Sequence, residues 1–156
     1  MNPLEPGQLA IWRIHAAIGA VVFMGIAVIG EVVRGAVPLP FPFGLILGGM
    51  ALALVWPTFF QPGRYFHSWR WRTEDEELHI HRGVLTRIET IVPFRRVQHI
   101  DVSQSWLERT FHVTSLVLHT AGTVDHRVLL PGLARETAEK IRDEVRAVIA
   151  RQDDGV

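Results

Sequence analysis

The stretch Ala16–Gly30, AAIGAVVFMGIAVIG, carries no ionisable side chain. Extended outward to Ile11 and Val33 it gives about 23 residues, and at about 1.5 Å per residue a helix of that length crosses a hydrocarbon core of roughly 30 Å. Its polar residues gather at the ends. Arg13 can snorkel to headgroups beside Trp12, and Glu31 and Arg34 are spaced to pair on one helix face at the opposite interface.

A second uncharged run, from Gly35 to Phe60, opens with three prolines, at positions 38, 40 and 42. Each withholds a donor and clashes with a preceding helical turn, so the connection between two helices is expected at Val37–Pro42. The second helix then covers about 43–60, with Trp56 and Phe59 at belt depth and Pro57 opening or kinking its last turn. Gly44 and Gly48 form a GxxxG, and Ala16, Ala20 and Ala27 lie along one side of the first helix, so close approach at small residues is expected. Arg64, Arg70 and Arg72 follow the second span and Arg13 begins the first, whereas the connection holds Arg34 alone; arginine placement therefore expects both termini in the cytoplasm.

Two other origins for these runs fit the residues less well. A cleaved signal peptide lacks support because the basic residue before the apolar run is a lone Arg13 and no A-x-A-like site follows it. Two buried helices of a soluble protein would need more polar chain around them than 156 residues supply.

From Met1 to Gln61 the ionisable side chains are Glu5, Arg13, His15, Glu31 and Arg34, while beyond Pro62 both signs recur every few residues. That asymmetry is hidden in a mean hydropathy of +0.19. Formal net charge is zero, so no basic surplus exists to neutralise phosphates and nucleic acid is not expected as a partner. The chain has no cysteine, which excludes disulfides and thiolate metal or cluster sites.

After Gly63 the pattern becomes period two. Trp69 and Trp71 alternate with Arg70 and Arg72, and Leu78 and Ile80 with His79 and His81. Further strands are expected at Val84–Val92, Val97–Ser103, Thr114–Thr120 and Arg127–Leu130, with turns at Glu74–Glu77, Gly83, Pro93, Ala121-Gly122 and Pro131-Gly132. Ser105-Trp-Leu-Glu108 has capping-box spacing, so a short helix from Trp106 to Phe111 is expected to interrupt the strands. In Ala134–Ala150 the residues Ala134, Ala138, Ile141, Val145, Val148 and Ile149 share one face, with Glu136 and Lys140 placed to pair on the other. Antiparallel strands followed by one amphipathic helix suggest a bent sheet or open barrel that the helix covers.

The ordered series Trp69-Arg-Trp-Arg-Thr-Glu74, Leu78 to Arg87 with its Gly83-Val-Leu-Thr, Val92-Pro-Phe-Arg-Arg-Val-Gln-His-Ile-Asp101, Leu107-Glu-Arg-Thr-Phe111, Leu118-His-Thr-Ala-Gly122 and Leu130-Pro-Gly-Leu133 resembles the bacterial pleckstrin-homology-like family. This is the family of the membrane-flanked domain, and the likeness is to its short YdbS-like members. It covers nearly the whole chain. The resemblance implies a membrane α-helical hairpin plus a mainly-β pleckstrin-homology-like domain, two orthogonal antiparallel sheets capped by a C-terminal helix. On this division 1–62 form the hairpin, 63–152 the cytoplasmic domain and 153–156 a tail. The resemblance also implies anchoring in the bacterial inner membrane, no enzymatic activity, no cofactor, and assembly with itself or with related membrane proteins of the same domain type. The chain departs from the family in two places: Ser105-Trp106 stand where members carry Gly-Pro, and His112 stands where they carry glycine, so His112 must make that turn with a side chain.

No G-x-S-x-G, P-loop or dinucleotide fingerprint is present, and no catalytic residue is expected. Ser103, Asp101 and His99 alternate on one strand face without implying a nucleophile. His79 and His81, with His99, His119 or His126, raise the question of a metal; without H-E-x-x-H or a carboxylate cluster they read as exposed polar positions, and no metal is expected. The candidate membrane-facing basic residues are Arg64, Arg70, Arg72, Arg95 and Arg96, which could hold the domain to an anionic leaflet or merely set topology. The candidate protein interface is Gln98, His99, Asp101 and Trp106, a strand edge with an aromatic anchor, although a tryptophan in a small domain more often joins the core. The leading expectation is a membrane-anchored interaction or scaffold protein, serving cell-envelope stress or resistance. A lipid-headgroup sensor is the alternative, and a metal-binding or enzymatic domain comes third.

Overall fold

The computed structural model describes residues 1–35, 42, 44–121 and 127–153, the last two by backbone only. Two compact units emerge, one of residues 12–64 and one of residues 1–11 with 65–156. The expected connection at Val37–Pro42 lies outside the described residues except for Pro42, as does Gly122 of the expected Ala121-Gly122 turn.

In the first unit the chain is helical. Helix α1, Pro6–Gly35, starts with proline at its first position, where the missing N–H has no intrahelical partner in any case. The second helix is continuous from Leu45 to Ser68 but changes pitch on the way: α2, Leu45–Val55, passes through a π-helical turn, Trp56–Phe60, into α3, Gln61–Ser68. Pro57 cannot donate, and the Gln61 N–H reaches back to the Trp56 carbonyl, so the expected disturbance takes the form of one widened turn. Both helices, of 30 and 24 residues, are long and apolar enough to cross a membrane. Glu31 is 2% exposed; its carboxylate accepts from Arg34 Nε at 2.9 Å and from the Ile46 N–H at 3.1 Å, so it caps the first turn of α2. The expected close approach at GxxxG is not what the structure shows: Gly44 adopts φ +86 ahead of α2, and a Cβ on Gly48 would meet nothing within 4 Å among the described residues.

In the second unit the strands are β1 Arg70–Glu74, β2 Glu77–Arg82, β3 Ile88–Pro93, β4 Val97–Ser103, β5 Thr114–Thr120 and β6 Arg127–Leu133. They form two antiparallel three-stranded sheets, β1-β2-β3 and β4-β5-β6. Register follows the hydrophobic alternation: Trp71 pairs with Ile80 and Leu78 with Val92, which puts these four residues on a single face. Leu116, Leu118, Leu130 and Leu133 supply the core from sheet two. Short helix α4, Trp106–Thr110, interrupts sheet two, and α5, Arg135–Asp153, buries Ala138, Ile141, Val145 and Val148 as it packs on Phe94, β4 and β5. Each buried aliphatic side chain contributes about 1.5–3 kcal/mol, and β5, central in sheet two, is buried over Thr114–Leu118.

Elsewhere in the fold the structure differs from the sequence reading as well. Residues 1–11 belong with the strands: Asn2 forms a bridge with Trp71, the Trp71 indole N–H donates to the Pro3 carbonyl at 3.3 Å, the Glu5 N–H donates to the Gly132 carbonyl at 2.8 Å, and Leu4 is buried. Val84–Arg87 is a turn, because Gly83 at φ +113 folds so tightly that a Cβ would collide with the Thr86 carbonyl. Pro131-Gly132, read as a turn, lies inside β6, with Gly132 at φ +67 beside Gln8. On α5 Lys140 approaches Glu144 at 3.9 Å instead of Glu136, and Arg135 bonds Glu139 at 2.9 Å.

Candidate functional site

The candidate basic residues engage different local partners. Arg64 stands over the Trp56 ring at 5.8 Å, beside the Trp56–Phe60 stack. Arg70 donates to the Trp69 carbonyl, Arg72 pairs with Glu74 at 2.7 Å, and Arg95 approaches Glu76 at 3.5 Å. Arg96 is exposed beside Arg95. The β1–β2 turn next to them is acidic, and Asp75 and Glu76 both adopt positive φ. A cavity of about 390 Å³ between this turn and α5 is lined by Glu74, Asp75, Glu76 and Glu144 against the single cation Arg151, which bonds Glu76 at 3.1 Å. A phosphate placed there would face more negative charge than positive, so this turn is no headgroup cradle.

The candidate interface residues are all exposed. β4 has β5 as its one partner in the sheet order and is irregular between Val97 and His99, where Gln98 sits. His99 Nε2 lies 2.9 Å from Asp101 Oδ1, and His119 Nε2, brought across from β5, lies 3.2 Å from Asp101 Oδ2. Ser103 is apart from them, opposite Ser115. His79 and His81 lie on the other sheet beside Glu77 and Glu89, so the histidines form two separate groups; His126 is outside the described residues. Among the described residues no three potential ligands gather with metal-binding geometry.

Trp106 is 68% exposed, which corrects the expectation that a tryptophan here joins the core. Both ends of α4 are held in place. Ser105 caps α4: its Oγ accepts from the Glu108 N–H at 3.3 Å while the Ser105 N–H donates to Glu108 Oε2 at 2.7 Å. Glu108 Oε1 also accepts from the buried Ser115 Oγ at 2.5 Å, which ties the cap to β5. His112 leaves the helix at φ +54, as the departure from glycine required. Between these two fixed ends the first helical residue points outward, so an indole is held on a rigid stub at the exit of β4.

The reading of the sequence missed a second apolar feature. Leu85 is 96% exposed at the tip of the β2–β3 turn, with Val84 and Ile88 exposed beside it. The Gly83-Val-Leu-Thr-Arg87 run looked like strand because β-branched and aliphatic residues fill both states; the available signal was the glycine.

A family model described as bacterial PH domain matches residues 15–149. The chain is 28% identical over 156 residues to a Bacillus subtilis (strain 168) protein called UPF0699 transmembrane protein YdbS, across 99% of this chain and 96% of that one. No solved structure matches.

Proposed function

We propose that this chain, which belongs to the bacterial PH domain family, is a non-enzymatic interaction protein of the bacterial inner membrane. In this reading α1 and the helix Leu45–Ser68 cross the bilayer, both termini are cytoplasmic, and the strands form a cytoplasmic docking domain. The observation that carries it is the exposed Trp106, fixed by its capping box at the end of an edge strand that also presents Gln98, His99 and Asp101. An aromatic anchor on a rigid support with a polar strand edge beside it suits another protein domain, since large rigid side chains lose little entropy on binding and open strand edges add backbone hydrogen bonds. A second copy or a related membrane protein of the same domain type is the proposed partner, and cell-envelope stress or resistance is the proposed setting.

The test is extraction of the full chain from its native membrane in mild detergent, followed by mass-resolved chromatography. A stoichiometric complex that Trp106→Ala dissociates is the expected result. A monomer whose contact with anionic lipid is lost in Arg95→Ala and Arg96→Ala would replace this reading with lipid-headgroup sensing.

A further inference from the structure

We propose that the β2–β3 turn, residues 83–87, is an interfacial membrane anchor that seats Leu85 and Val84 in the headgroup and upper acyl region of the bilayer. The inference rests on the membrane placement of Leu45–Ser68 and is independent of the protein partner proposed above.

Three observations meet at this turn. The first is exposure: Leu85 gives up almost its whole side chain to solvent, and Val84 and Ile88 flank it. The tip is not loose, because Gly83 at φ +113 is packed against the Thr86 carbonyl and Arg82 pairs with Ile88 across the strands. A rigid turn that presents a leucine outward forgoes the burial that a small domain needs, unless something apolar receives it.

The second is tethering. The Gly83 N–H donates to Ser68 Oγ at 3.2 Å, and Ser68 is the last residue of the helix Leu45–Ser68. Ser68 Oγ in turn donates to the Tyr65 carbonyl at 2.7 Å, so the turn is locked to the last helical turn of that candidate span. The helix that ends at Ser68 is 24 residues long and apolar enough to cross a membrane.

The third is the chemistry around the leucine. Arg82 and Arg87 bracket the tip and both are exposed. The Arg82 guanidinium lies 5.7 Å from the Trp69 ring, and Trp69 meets Tyr65 edge-on at 5.9 Å. Aliphatic residues at a tip, aromatic rings behind them and arginines at either side are matched to the layered polarity of a bilayer surface, where acyl chains, carbonyls and anionic phosphates follow one another. This set is distinct from the arginines selected by the sequence, two of which are paired with carboxylates.

The chain has no cysteine, so single-cysteine variants of the full-length protein are available directly. Leu85→Cys, Ala150→Cys on the exposed face of α5 and Leu52→Cys in α2 are labelled with an environment-sensitive fluorophore and placed in nanodiscs of anionic lipid. Nitroxide-bearing acyl chains serve as the quencher. Leu85 should be quenched about twofold or more above Ala150, and replacing Arg82 or Arg87 by alanine should lower the seated fraction about fivefold in anionic nanodiscs. Equal, water-like signals at Leu85 and Ala150 would overturn the proposal. So would a Leu85 label shielded from water yet untouched by lipid nitroxide, which would assign the tip to a protein. If Leu52 also escapes quenching, the membrane placement itself fails, and that outcome is separable from failure of the turn alone.

Discussion

Residues 12–64 and the six strands place the same aliphatic side chains in opposite directions. On α1 and α2, Val21, Val32 and Leu52 are exposed, while Glu31 is buried against Arg34 and the Ile46 amide. In the strands, Leu78, Leu116 and Leu118 are sealed inside, while Arg72 and Glu74 lie at or near the surface. The difference identifies the solvent each was built for: apolar surface turned outward is stable in hydrocarbon, and a carboxylate there needs its donors within the protein.

The strongest way to break this contrast is to truncate one leucine in each region. Leu118→Ala, at 0% exposure, should cost about 2–5 kcal/mol of domain stability, whereas Leu52→Ala should leave domain unfolding unchanged. Denaturant unfolding in detergent, followed by tryptophan fluorescence, reads both. Leu4→Ala comes next, with an expected loss of about 2 kcal/mol in the same assay. A null result would show that residues 1–11 add nothing to the stability of the strands.

Glu31→Ala sharpens the comparison from the hairpin side. It removes the cap on Ile46 and the carboxylate that Arg34 Nε bonds, and should weaken helix association by about 1–2 kcal/mol, measured by distance labels on α1 and α2 in nanodiscs. An unchanged distance distribution would mean that the clasp contributes nothing.

The smallest effect belongs to the outer face of α5, where the Arg142 hydrogen bond holds the Asp143 carboxyl below the usual carboxylate range. A carboxyl lowered in the folded state stabilises it above the carboxyl's unfolded value, and that contribution disappears as pH falls through the folded one. Asp143 is exposed and Arg142 half-buried, so Asp143→Asn should lower the melting temperature only slightly at neutral pH and leave it unchanged at a pH below the folded carboxyl's range, which flattens the acid limb by the same small amount. A marked loss at neutral pH would show that surface charge matters more to this domain than its buried leucines suggest.

Much of the architecture was legible because it depends on periodicity. Uninterrupted apolar runs marked both long helices, alternation at Trp69–Arg72 and Leu78–His81 marked the first hairpin, and the Ser105–Glu108 spacing marked α4. The site was less legible. The exposure of Trp106 depends on what fills the core elsewhere, and the partners of Arg72 and Arg95 depend on strand register and on the acidic turn, which composition does not reveal. Val84–Arg87 was misread because a strand and a tight turn of the same residues differ chiefly in one glycine dihedral.

By itself the amino-acid sequence determined which segments prefer hydrocarbon, which alternate as strands and which helix has an apolar face, since those properties come from the order of side chains along a local backbone. Only the tertiary structure decided that residues 1–11 complete the β domain, that Asp101 sits between two histidines, and that Trp106 and Leu85 stand outside the core. Each of these depends on contacts between residues far apart in the chain, whose free energy exists only once the intervening elements have packed.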